Sequence, residues 1–254
     1  MLRVPGRKFV EFSVETDMSL DALDAMTNTF HNFNVNIITG LIFAEPSRGK
    51  RVIELFADYT EATLPLEDFV KNLKAVKKVF NAQFKESPLE GLILCQLHYP
   101  SRVAGENAII FKHSCVESWF KRLWKVYGTG AASILYDSGV EVGRNSTKTF
   151  MEKTGLKGEE LLRFIVAFLQ SLGWGVFRIA ELDMEYLRAT IDIDDLFECV
   201  ILRDVAPGPT SNFVRGYMVG VAREIWGGKD VVGEEAKCIA KGDPYCQIKI
   251  KVKE

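Results

Sequence analysis

Near the end of the chain Cys238 and Cys246 stand eight residues apart, with Glu235 three residues before the first of them. Two thiols and a carboxylate are a donor set that suits zinc when they converge. The same thiols can instead be a dry buried pair, or close a reversible disulfide. From Cys246 the chain alternates, with Cys246, Ile248, Ile250 and Val252 on one face and Gln247, Lys249 and Lys251 on the other. That period of two predicts a half-buried strand. Lys241-Gly242-Asp243-Pro244 is a turn signal, so Glu235–Ala240 is expected as the first arm of an antiparallel hairpin that brings the two thiols together. One difficulty follows from parity. Glu235 and Cys238 differ by three, and a regular strand would send them to opposite faces.

Other chemistry is sparse. His31, His98 and His113 are isolated from any serine or cysteine arrangement of catalytic type. His113 and Cys115 stand two apart at a helix start, where a solvated cap accounts for them more simply than a thiolate dyad does. The acidic groups Glu181/Asp183/Glu185 and Asp192/Asp194/Asp195 read as solvated strand ends. Gly128-Thr129-Gly130 does not make a dinucleotide fingerprint, because Ser133 occupies the third glycine position and a helix precedes it where a strand is needed. No nucleotide cofactor is expected.

The elements that must position these groups fall into two sets. Lys8–Glu15 alternates as a strand, Ser19 precedes a helical spacing of Leu23, Met26 and Phe30, and Asn36–Ala44 and Arg51–Tyr59 read as strands joined by the turn Pro46-Ser47-Arg48-Gly49. Pro65 opens a second helix carrying Phe69, Leu73 and Val76, and Val79–Phe84 is a further strand. The order βαββαβ predicts a ferredoxin-like unit over residues 1–87. Glu86–Gly91 is a boundary signal and 88–106 a linker, with short strands expected at Leu92–Leu97 and Ala108–Phe111.

Residues 107–254 form the second unit. Helices are expected from Ser114, from Ala131 towards Phe150, after Lys157-Gly158 and after Ser211 or Asn212, with Gly139/Gly143 and Gly216/Gly220 each one turn apart. Trp174–Leu182, Tyr186–Ile193 and Leu196–Arg203 read as successive antiparallel strands. The fold class is therefore α+β, with helices packed on an antiparallel sheet. Aromatic residues crowd this half, and Trp174, Tyr217 and Trp124 combine an apolar body with a polar tip suited to a small hydrophobic ligand.

The net charge of −2, with 47% hydrophobic and 26% charged residues, argues against a nucleic-acid surface. No run approaches a membrane span and nothing reads as a signal peptide, and the five irregularly placed cysteines do not form a secreted disulfide framework. A soluble cytoplasmic protein is expected.

The pattern Glu235-x-x-Cys238, then Gly242-Asp243-x-x-Cys246, resembles the close of the V4R, or 4-vinyl-reductase, domain. Gly216-Tyr217-Met218-Val219-Gly220, Gly173-Trp174-Gly175 and the stretch from Gly128 through Gly143 resemble the family's earlier segments in the same order, over about residues 105–252. In the aromatic-sensing regulators this domain resembles, a glutamate and three cysteines hold zinc. Glu235, Cys238 and Cys246 match, Ser211-Asn212 stands where the remaining cysteine would be, and Cys199 is the candidate replacement from a neighbouring strand. The first unit resembles an ACT-type domain, but its loop Asp17-Met18-Ser19-Leu20 lacks the glycine of the amino-acid-binding members. The resemblance implies a non-enzymatic sensor of a small hydrophobic molecule, made a homodimer by its ACT-like unit and acting through a separate protein partner. The alternatives are a reductase or accessory protein of tetrapyrrole metabolism, and a structural assembly subunit.

Overall fold

Alternation in the first strand places Val10, Phe12 and Val14 on one buried face of β1 (Phe9–Asp17). The computed structural model describes residues 3–45, 49–97, 101–103, 106–205 and 210–253. Strands β2 (Asn36–Glu45), β3 (Lys50–Asp58) and β4 (Val79–Glu86) join β1 in an antiparallel sheet of order β2-β3-β1-β4. Helices α1 (Leu20–Asn32) and α2 (Leu66–Ala75) lay Met26, Phe30, Phe69 and Leu73 on Phe12, whose ring meets Phe30 at 5.3 Å and Phe69 at 5.4 Å. Each such fully buried ring contributes about 2–3 kcal/mol. This is the βαββαβ order read from the sequence. Residues 46–48 of the expected β2–β3 turn lie outside the described residues.

Residues 88–97, read above as connection, are pinned to this first unit. Val4 N–H donates to the Gly91 carbonyl (2.8 Å) and Gly91 N–H to the Arg7 carbonyl (2.9 Å). Buried Glu11 accepts from Gln96 N–H (2.6 Å) and Leu97 N–H (3.0 Å). The expected strand Leu92–Leu97 does not form, because a carboxylate takes the backbone donors that a neighbouring strand would need. Nor does Ala108–Phe111: Ala108 N–H donates to the Ser101 carbonyl (2.7 Å) at the end of a two-residue bridge, β5 (Arg102–Val103) with β6 (Glu106–Asn107), and Ile109–Phe111 are exposed. By contacts the chain divides into Met1–Ile110 and Phe111–Glu254.

The second unit runs α3 (His113–Tyr127), α4 (Gly130–Thr154), α5 (Gly158–Ser171), β7 (Val176–Asp183), β8 (Arg188–Asp194), α6 (Phe197–Leu202), α7 (Asn212–Ile225), β9 (Val231–Lys237) and β10 (Cys246–Val252). Its antiparallel sheet has the order β7-β8-β10-β9, and α5 and α7 cover one face through Leu161, Ile165, Leu169, Met218 and Val221. The strand expected at Leu196–Arg203 is instead helix α6. Asp195 adopts a left-handed φ of 50° that ends β8, and Glu198, Cys199, Ile201 and Leu202 are then all buried. A short apolar run of this kind carries no clear alternation, so period alone could not separate strand from helix.

Helices α4 and α7 meet backbone to backbone. A Cβ on Gly139 would collide with the Phe213 carbonyl, one on Gly143 with that of Tyr217, one on Gly216 with that of Tyr136, and one on Gly220 with that of Val140. Gly216→Ala is therefore expected to destabilise the unit by about 2–4 kcal/mol, because the helices must separate along their whole contact. Gly130→Ala, whose Cβ meets nothing nearer than 3.8 Å, is expected to be neutral or stabilising by about 0.5–1 kcal/mol. Urea denaturation of the two variants measures the contrast, and equal losses would show that the contact is not close.

Candidate functional site

Four side chains converge inside the second unit. Cys199, Glu235, Cys238 and Cys246 each bring a donor atom within 4.8 Å of the others. Cys199 Sγ lies 3.6 Å from Cys238 Sγ and donates to Glu235 Oε1 at 3.7 Å. The parity difficulty is removed by a β-bulge. Gln247 pairs with Lys237 and Ile248 with Glu235, so Ala236 is the extra residue and Glu235 turns to the same side as Cys238. β9 then gives way to a 3-10 turn at Ile239–Lys241, which replaces the rest of the expected first arm, Glu235–Ala240. The turn is held by Asp243, whose carboxylate accepts Cys238 N–H at 2.8 Å, and Ile239 N–H points at Cys246 Sγ from 3.5 Å. The third thiol comes from helix α6, not from a strand.

All three cysteines are fully buried free thiols. Hydrogen bonding with Cys199 and Cys246 holds Cys238 far below the usual thiol range, so it is the sulfur that the group favours as a thiolate. Hydrogen bonds to Cys238 and Cys246, together with burial, push Cys199 up. Burial, then the hydrogen bond to Cys238, raises Glu235 to about 7. A tetrahedral zinc with Zn–S of about 2.3 Å sets its sulfur ligands about 3.7 Å apart, which the 3.6 Å pair already meets. Four protein donors of the thiolate and carboxylate type fit a closed zinc site.

Beside this group the first turn of α7 is gripped by two carboxylates. Fully buried Glu198 accepts Phe213 N–H at 2.8 Å and Val214 N–H at 2.9 Å, and Glu235 Oε2 accepts Ser211 N–H at 3.2 Å. They satisfy donors that a helix start leaves open. Burial raises Glu198 to about 8 against the opposing pull of those two backbone bonds. Sequence reading missed Glu198. Its position inside an apolar run was the available signal, since a carboxylate there needs partners.

The aromatic candidates do not all share one place. Trp174 and Tyr217 meet ring to ring at 5.3 Å, and Trp174 also touches Phe197 (5.5 Å) and Phe213 (5.6 Å). Tyr217 is buried with its hydroxyl 2.9 Å from Ser146 Oγ. Trp124 belongs to a separate cluster with Phe120, Ala131, Leu135, Ile201 and Leu202. Phe120 links the two through Phe197 (5.9 Å) and Phe213 (6.2 Å). The Trp124 indole N–H is buried without a hydrogen-bond partner.

In the first unit the glycine-free loop after β1 is closed on itself. Asp17 accepts from Ser19 N–H (2.9 Å) and Ser19 Oγ (2.6 Å), and Lys78 reaches Ser19 Oγ (3.1 Å) and Asp17 (3.7 Å). The Ser19 hydroxyl is thus spent on Asp17 and makes no cap bond to α1.

No protein-family model matches the chain, and no curated protein matches it. Among solved structures it is similar to the phenol-responsive sensory domain of the transcription activator PoxR, at 17% identity over 59% of this chain and 79% of that one, with a TM-score of 0.53. That alignment is longer than the first unit, so it reaches into the second. A vinyl-4-reductase family protein from Methanocaldococcus jannaschii aligns at 16% identity over 58% of this chain and 85% of that one (TM-score 0.37). The ACT domain of a GTP pyrophosphokinase from Chlorobium tepidum aligns at 16% over 31% and 99% (TM-score 0.26). The class is defined by fold: a ferredoxin-like unit followed by an α+β unit built as in the PoxR sensory domain.

Trp174→Ala is expected to cost about 3–5 kcal/mol, because three aromatic neighbours lose their common partner. Tyr217→Phe is expected to cost only about 1 kcal/mol, the net worth of one hydrogen bond. Thermal unfolding followed by near-ultraviolet circular dichroism separates them, and a mild Trp174→Ala would mean that the rings do not form one packed wall.

Proposed function

We propose that this chain is a non-enzymatic sensor whose second unit binds a compact apolar molecule carrying one oxygen, over a structural zinc site. The observation that carries this reading is the partnerless indole N–H of Trp124 inside an otherwise apolar cluster. A buried donor left unpaired costs about 1–3 kcal/mol, which a ligand oxygen would recover. The likeness to a domain described as phenol-responsive supports the same ligand class. Helix α3 is the mobile wall: of its fifteen residues only Phe120 and Trp124 are buried, so little apolar burial opposes its opening.

Zinc would be held by Cys199, Glu235, Cys238 and Cys246. With four protein donors the ion keeps no open position, which makes it a clamp between α6 and the β9–β10 hairpin and not a Lewis acid for substrate. Free buried thiols fit a reducing compartment such as the cytoplasm. The first unit would pair two copies through β2. From Asn36 to Ala44 that edge strand carries no charge or proline, its one charge being the terminal Glu45, and it exposes Ile38, Leu41 and Ile42. The signal would pass to a separate protein partner.

Protein purified without a histidine tag is expected to hold close to one zinc per chain, with Cys199→Ser weakening metal binding by about 100-fold or more. Less than about one-tenth of an equivalent would end the zinc reading. Phenol, used as the probe, is expected to bind wild type and to bind Trp124→Phe about tenfold more weakly, the loss of one buried hydrogen bond; equal affinities by calorimetry would remove Trp124 from the site. For the dimer, light scattering is expected to give two chains for wild type and one for the double variant Leu41→Lys/Ile42→Lys, and a monomeric wild type refutes the pairing.

A further inference from the structure

Three consecutive residues of α6 face three different parts of the second unit. Phe197 lies against Trp174 at 5.5 Å and Phe120 at 5.9 Å, in the aromatic wall. Cys199 lies 3.6 Å from Cys238 Sγ and 3.7 Å from Glu235 Oε1, in the thiol group. Between them Glu198, with none of its surface exposed, spans to α7 and takes the amide protons of Phe213 and Val214 on its two oxygens. Phe213 and Tyr217, on the helix so gripped, form the other side of the wall around Trp174. A short helix fixed at Cys199 thus reaches the first turn of α7 through the two hydrogen bonds of Glu198, beside the grip of Glu235, on β9, on Ser211 N–H at 3.2 Å.

We infer that Glu198 is the positioning residue through which the thiol–carboxylate centre sets helix α7 and the aromatic wall. The inference rests on the metal reading above and adds a direction of control. Metal held by Cys199 fixes α6, Glu198 carries that constraint to the first turn of α7, and Phe213 and Tyr217 are set in place. By linkage a guest that tightens the wall also tightens metal binding. Glu198 itself touches neither metal nor guest.

The test is amide hydrogen exchange by NMR on the full chain, metal-free and with one equivalent of zinc, comparing wild type with Glu198→Gln. In wild type, zinc is expected to slow exchange at Phe213 and Val214 by about tenfold or more, since opening the first turn must then also strain the metal-fixed α6. In Glu198→Gln, which sets an amide NH2 against a backbone N–H, that ratio is expected to fall below about twofold, because one of the two shared bonds becomes a donor–donor clash. Ser211, still held by Glu235, should keep its zinc response, and cobalt should still give its thiolate absorption bands. A merely structural Glu198 would speed exchange equally with and without zinc, and an unchanged ratio overturns the inference. Should Glu198→Gln fail to fold, Glu198→Asp, one methylene shorter, is expected to give an intermediate ratio, and a wild-type ratio there overturns it equally. Zinc that binds wild type without slowing Phe213 and Val214 refutes the coupling alone, whereas zinc that does not bind refutes the metal reading and the coupling with it.

Discussion

Direct backbone contact between α4 and α7 is the constraint on which the second unit is built. Where Gly139 and Gly143 face Gly216 and Gly220, each helix presents a bare backbone to the carbonyls of the other. Two ordinary helices stand 8–10 Å apart with side chains between them; these have none at the contact. The contact runs along the middle of α7 and fixes both its height and its rotation. Tyr217, between Gly216 and Gly220 in sequence, can then reach Ser146 on α4 and Trp174 just after α5. A helix held so firmly along its length carries its first turn and its aromatic side on one rigid element.

That first turn is where carboxyl groups have been buried. Glu198 and Glu235 arrive from different elements, one on α6 and one on β9, and both are spent on α7 backbone donors. Removing carboxylates from water is costly, and the structure offsets this with helix-end N–H groups whose partial positive charge is already unpaired. The thiols use the same economy of position. Asp243 closes the turn after Cys238, and a backbone N–H is aimed at Cys246. Donors of the metal-binding type and helix capping thus occupy the same few residues.

The first unit shows how a polar loop can be silenced. Where an exposed ligand loop would leave its backbone open, Asp17, Ser19 and Lys78 satisfy one another. Lys78 pays for its reach with a left-handed φ of 71°, which a lysine adopts only under constraint. Its core is conventional by contrast: Phe12, Phe30 and Phe69 meet edge to face, an arrangement aromatic quadrupoles favour.

The sequence by itself determined the βαββαβ order of the first unit, the terminal strand Cys246–Val252 and helices α3, α4, α5 and α7 of the second, because each shows a solvent face and a buried face and so carries a period. It also determined which residues were candidates for metal, since few side chains offer thiolate or carboxylate donors. Tertiary structure decided how they meet. A single bulge at Ala236 turned Glu235 to the side of Cys238, and one left-handed residue, Asp195, ended a strand and let Cys199 arrive on a helix. Both are one-residue events that leave no pattern, and α6 is an apolar run too short, at six residues, for its period to show. The role of Glu198 was likewise hidden, because a buried carboxylate is explained only by the donors that surround it, and those come from residues fifteen and sixteen positions further on.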